Sequence, residues 1–236
     1  MKTSITAKHF KRYLSVILCL AMGFSLAGCS GKQEKRYSDY IKSLIAINYL
    51  GAKDDYIKAT GANKEDAQAL YDDNMEHLAD NILAYYGVTI SDASGAKEGF
   101  VALAKNVYSK INYKVDKAKK HGDTYTVDVT IYPINLFNQT KDDVISYVDR
   151  FNKGISQGDY NDYTLEEYET EFSEGLLQIL NEGCSNMTYG DPVVVTVTII
   201  EDDNLYYISD EDFLAIDAAM ISTSEVPENA TNSDAP

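Results

Sequence analysis

Cysteine and histidine are scarce in this chain: 236 residues hold three of each, and tryptophan is missing altogether. Cys19, Cys29 and Cys184 have no ligand spacing with His77 or His121, so a zinc centre is poorly supported and no metal is expected. The glycines do not assemble into a phosphate cradle, and no Gly-Lys-Ser/Thr follows a strand pattern. A Gly-x-Ser-x-Gly elbow is missing too. Basic residues are few, 21 Lys and Arg against 37 Asp and Glu. Nucleic acid is therefore excluded as an electrostatic partner, because phosphate contacts need cationic side chains. No apolar run reaches the roughly 20 residues of a membrane-spanning helix. No catalytic residue and no cofactor are implied.

What is present begins at the amino terminus. Lys2, Lys8, Lys11 and Arg12 precede an apolar run from Tyr13 to Phe24, and small residues follow, the order of an export signal. Leu26-Ala27-Gly28-Cys29 comes next and resembles the lipobox of bacterial lipoproteins. The resemblance implies cleavage after Gly28 and a diacylglycerol or palmitate-type acyl group on Cys29. It also implies a protein held at the outer, extracytoplasmic face of the cell membrane. The residue types suit that chemistry, since a nucleophilic sulfur is needed at the modified position and small neighbours admit a peptidase. Two acyl chains hold a protein firmly where one, at roughly 0.8 kcal/mol per buried CH₂, does so only marginally.

With Cys19 in the signal and Cys29 acylated, Cys184 is left without a disulfide partner and is expected as a small buried residue. The 208 residues after Gly28 carry 17 basic and 37 acidic groups, a balance of −20. That net charge should be repelled by anionic lipid and wall polymers within a screening length of about 8 Å.

The chain divides into a signal (1–28), a polar linker (29–36), a first α+β half (37–137), a second (138–221) and a polar, disordered tail (222–236). Extended, the linker would lift the body by no more than roughly 25 Å. Helical spacing runs from Tyr37 to Leu50, with Gly51 as a stop, and Asp54 to Thr60 reads as one further turn. Asn63 caps a long stripe from Ala67 to Tyr86, and a third helix runs to about Lys110. The period then drops to two: Tyr113 and Val115, a turn at His121-Gly122-Asp123, and Tyr125, Val127, Val129 and Ile131 predict a hairpin ended by Pro133. Thr140 and Asp143 predict a capping box for one helix, and Thr164 and Glu167 for another that stops at Gly183. Val193 to Ile200 is a strand, Asp202-Asp203-Asn204 a turn, and Ser209 with Asp212 caps a last helix. Val127–Ile131 matches Val195–Ile199 at four of five positions, which admits an internal duplication or chance. The fold class expected is α+β, with helices packed on a small antiparallel sheet.

Acidic groups at Asp159 to Asp162 and Asp202-Asp203-Asn204 lack the spacing and distal Glu of a calcium loop and read as turns. Tyrosine is abundant, with pairs at Tyr85-Tyr86 and Tyr206-Tyr207; such rings line peptide and carbohydrate sites, but here they fall mostly on core and boundary positions. His121 reads as a solvated turn residue.

Asn48-Tyr49-Leu50-Gly51 leading to Asp55-Tyr56, Glu65-Asp66-Ala67 at a helix start, and Asp123 to Pro133 give residues 37–137 a further resemblance. The segment looks like the small lipoproteins of Gram-positive bacteria that carry a domain of unknown function, similar in architecture to cystatin-like or nuclear-transport-factor-like domains. Those serve mostly as binding modules and imply no catalytic residues. The expectation is a membrane-anchored, non-enzymatic module that binds an envelope protein, a peptide or a wall component. The alternatives are an envelope hydrolase built on carboxylates brought together by the fold, and the solute-binding component of an importer.

Overall fold

A computed structural model describes residues 30–91, 95–202 and 205–223. The export signal, the Leu26-Ala27-Gly28-Cys29 motif and the tail from residue 224 lie outside the described residues.

Eight helices pack on one antiparallel sheet among the described residues. The helices α1 (Ser30–Leu50), α2 (Lys53–Thr60), α3 (Lys64–Tyr85) and α4 (Ala96–Tyr108) come first. The strands β1 (Asn112–Val115), β2 (Lys119–His121) and β3 (Thr124–Tyr132) follow. A second helical run, α5 (Leu136–Gln139), α6 (Lys141–Gln157) and α7 (Leu165–Ser185), precedes β4 (Val193–Asp202), β5 (Leu205–Tyr207) and α8 (Asp210–Met220).

Both β1 and β2 pair with β3, which pairs in turn with β4, and β5 closes the other edge. The alternation read from the sequence decides which face is buried. Val127, Val129 and Ile131 are fully enclosed, as is Val197 across from Val127. Each such side chain stabilises the fold by roughly 1.5–3 kcal/mol relative to exposure. The opposite face carries Thr126, Asp128, Thr130, Thr196 and Thr198, with the Thr196 hydroxyl donating to Asp128 Oδ1 at 2.7 Å. The two similar strand segments are thus direct antiparallel neighbours, Val127 facing Val197 and Val129 facing Val195, so the two sequence halves share one sheet.

Against the apolar face lie α1 and α8; α3 and α4 cover α1, and α7 packs on the far side of α4. Tyr49 of α1 is sandwiched between Tyr108 of α4 and Phe213 of α8, at centroid distances of 5.5 and 6.3 Å. Its hydroxyl donates to Asp217 Oδ1 at 2.9 Å. Burial pushes the Asp217 carboxyl up, an effect that the Tyr49 hydrogen bond and the nearby His77 partly oppose.

Three expected caps form. The side chains of Asn63, Thr164 and Ser209 accept from the amides of Asp66, Glu167 and Asp212, and Glu167 completes the capping box by accepting from Thr164 N–H. Elsewhere the structure corrects the reading. Residues 30–36, expected as a linker, form the first two turns of α1; Gln33–Tyr37 and Lys35–Asp39 contacts one turn apart support this polar stretch. Thr140 does not cap α6, because α5 runs directly into it and the Thr140 hydroxyl donates back to Leu136 O at 2.9 Å. α7 continues through Gly183 to Ser185. The first residue of the expected tail, Ser222, is bound: its amide donates to Ile134 O at 2.8 Å.

Candidate functional site: a groove between two helices

The described surface has a groove of about 750 Å³ between the α5–α6 corner and α7. Its position follows from local sequence. Gly158, at φ 84°, ends α6 in the left-handed conformation. The chain then turns back so that α7 runs antiparallel to α6. At the turn end the two helices are clamped by aromatic rings: Phe151 stacks on Tyr160 at 4.6 Å and meets Phe172 edge-on at 5.1 Å. At the other end Gln139 bridges α5 to the end of α7, its amide donating to Asn186 O at 3.0 Å while its carbonyl accepts from Thr188 N–H at 3.2 Å.

Between these clamps the helices approach closely because α7 presents Gly175, Ile179 and Gly183 on one stripe, four residues apart. A Cβ on Gly175 would clash with the hydroxyl-bearing edge of the Tyr147 ring, and one on Gly183 would strike Thr140 and Leu136. The Tyr147 hydroxyl donates to the carbonyls of Glu171 and Phe172 at 3.1 and 3.0 Å, which holds the ring flat on α7. Burial pushes its phenol well up, so it stays a neutral donor.

The walls of the groove are polar, and its charges are Asp143, Glu171, Glu174 and Glu182 against Arg150. Four carboxylates and one guanidinium leave a balance of −3. Ligand pockets for small apolar molecules are closed and mostly hydrophobic; here only Ile179 and the Tyr147 ring supply apolar area. The shape and charge suit an extended segment with cationic side chains. All four acidic residues are exposed, whereas enzymes bury a carboxyl to keep it protonated as a general acid.

The residues singled out from sequence fall elsewhere. Cys29 and the residues before it lie outside the described residues. Cys184 is buried on α7, and burial pushes its thiol up, which suits a packing residue more than a nucleophile. His121 is exposed at the end of β2 and His77 lies half-buried on α3, on different elements. Tyr85 stacks on Phe137 at 4.5 Å, while Tyr86 and Tyr206 are core rings. Among the described residues no three His, Cys, Asp or Glu side chains come together as a metal-holding group, and no helix is long and apolar enough to cross a membrane. Sequence reasoning did not find the groove. The signal was there in two glycines inside a strong helical pattern, which mark a close approach.

No family model matches the chain, and no curated protein does either. Among solved structures it is similar to the crystal structure of ycdA from Bacillus subtilis, described there as "a putative lipoprotein", with a TM-score of 0.55 and 21% identity. The match covers 80% of this chain and 58% of that one, so this chain spans less than two thirds of the protein it resembles. At that identity the likeness is one of fold.

Proposed function

We propose that this chain is a lipoprotein of the bacterial envelope, tethered through Cys29, whose α+β body is a non-enzymatic binding module. The α6–α7 groove takes an extended basic segment of another envelope protein. One observation carries the binding site: four acidic side chains and a single arginine line a groove held open between two clamped helices. The lipobox and the likeness to a lipoprotein's fold support the compartment. The helices packed on an antiparallel sheet support the cystatin-like or nuclear-transport-factor-like assignment suggested by the motifs.

The test is a binding isotherm, by fluorescence anisotropy, with a labelled 12-residue peptide of alternating Lys-Ser and Arg-Gly. A variant carrying Glu171→Gln, Glu174→Gln and Glu182→Gln should bind at least tenfold more weakly. A control carrying Asp54→Asn, Asp55→Asn and Glu65→Gln removes the same charge from α2 and α3 and should bind like the parent. Equal weakening in both variants would mean that only the net charge attracts the peptide, and the groove assignment would fall.

A second reading, an envelope hydrolase, is favoured by the same carboxylates. It predicts turnover of cell-wall glycan or peptide fragments that the triple Gln variant abolishes. The missing burial of those groups weighs against it. The solute-receptor reading needs ligand held between two α/β lobes, and the described strands form one sheet.

A further inference from the structure

We infer that the amino-terminal end of α1 and the β2 edge form a basic face that rests on anionic lipid headgroups. This inference depends on the reading of Cys29 as the lipid anchor. Although the chain beyond residue 28 carries 17 basic and 37 acidic groups, residues 32–39 and 117–121 together hold six basic and two acidic ones. The fold brings these two segments together. Ala118 N–H donates to Ser38 Oγ at 2.8 Å, Lys117 pairs with Glu34, and the Tyr125 hydroxyl donates to Gln33 Oε1 at 3.4 Å. Lys32, Lys35, Arg36, Lys117, Lys119 and Lys120 are all exposed.

The anchor's place in the chain says what this face meets. Cys29 immediately precedes the first residue of α1, with no extended linker between them. At about 1.5 Å of rise per residue, Lys32 to Arg36 sit within roughly 10 Å of the helix start. An acyl group at Cys29 therefore holds this end of the molecule, rather than the body as a whole, against the bilayer.

Local acids reduce the field without cancelling it. Glu34 and Asp39 are taken up by Lys117 and Lys35, and Asp128 by Lys119. Asp123 stands at the adjoining turn, and Glu201 near the end of β4 lies across β3 from β2. Two strand spacings, about 10 Å, separate the backbone at Glu201 from the β2 lysines, close to one screening length at physiological salt, although its carboxylate also acts on Tyr37 of α1. Asp116, beside Lys117, is taken up by Lys114. The net charge predicts repulsion from an anionic surface; the distribution of charge reverses it at the end that is tethered. Each lysine near such a surface strengthens attachment by roughly fivefold.

The test uses the lipidated chain extracted from cell membranes, with a fluorophore on Thr124→Cys beside the β2–β3 turn; Cys184 is buried and takes no label. Energy transfer to headgroup-labelled lipid reads the height of that turn on vesicles of phosphatidylcholine alone or with 30% phosphatidylglycerol. On the anionic vesicles the label should sit lower by about one screening length, roughly 8 Å. That difference should disappear at 1 M salt and in Lys32→Ser/Lys117→Ser/Lys120→Ser. Equal heights on the two vesicles, or a difference that survives high salt, would overturn the proposal while leaving the anchor intact. A chain that floats with neither vesicle would overturn the anchor reading and this proposal together.

Discussion

Replacing a mid-helix glycine by alanine ordinarily stabilises a helix, by about 1 kcal/mol. At Gly175 the packing reverses that sign. A methyl group there would clash with the hydroxyl-bearing edge of the Tyr147 ring, and the ring is not free to yield because its hydroxyl is held by two carbonyls of α7. Lifting the ring forfeits that hydrogen bonding, about 1 kcal/mol, and forced overpacking costs roughly 1–3 kcal/mol. Set against the propensity gain, Gly175→Ala should destabilise the protein by about 1–3 kcal/mol. For a body of this size that lowers Tm by roughly 2–12 °C. Thermal unfolding followed by circular dichroism measures it. The deciding comparison is Gly175→Ala made in a Tyr147→Ala background, where the obstruction is gone and the same change should stabilise by about 1 kcal/mol. If Gly175→Ala raises Tm in the parent chain as well, the glycine is not there for the close approach, and the account of how the groove is built is wrong.

Three further outcomes follow from single features. The Asp217 carboxyl is pushed up by burial, so the native state holds its proton more tightly than the unfolded chain. Its contribution is complete below the ordinary carboxylate range and is lost as pH rises through the folded-state value. Urea denaturation from pH 4 to 8 should show Asp217→Asn gaining on the parent as pH rises, by about 1.4 kcal/mol for each unit of upward shift; a constant gap would contradict it. Thr164→Ala removes the hydroxyl that accepts from Glu167 N–H, leaving the other half of the α7 capping box in place, and should cost about 1 kcal/mol, a fall in Tm of roughly 2–4 °C. Cys184, buried with a raised thiol, should be silent to a thiol reagent in the native protein and react once in denaturant; fast native labelling would restore it as a candidate nucleophile.

How much of this could be read beforehand depended on whether the signal was local. The α+β class was legible because periodicity changes from helical to alternating at Tyr113 and again at Val193, and Asn63, Thr164 and Ser209 announce helix starts with their own side chains. Residues 30–36 were not legible as helix, since they have no apolar stripe and gain support from Lys117 and Tyr125, more than eighty residues away. Gly183 reads as a stop in isolation; only the approach of Thr140 and Leu136 explains a glycine inside α7. The groove was hidden for a related reason. Its acids look like ordinary solvated faces of two separate helices until the aromatic clamp sets those helices side by side.

The envelope compartment and the membrane-facing basic end both depend on the chain being tethered at Cys29, and mass spectrometry of the chain extracted from cell membranes tests that directly. The amino-terminal peptide should begin at Cys29 and carry the added mass of a diacylglycerol on its sulfur. Finding that peptide beginning at Met1, or bearing an unmodified Cys29, would contradict it.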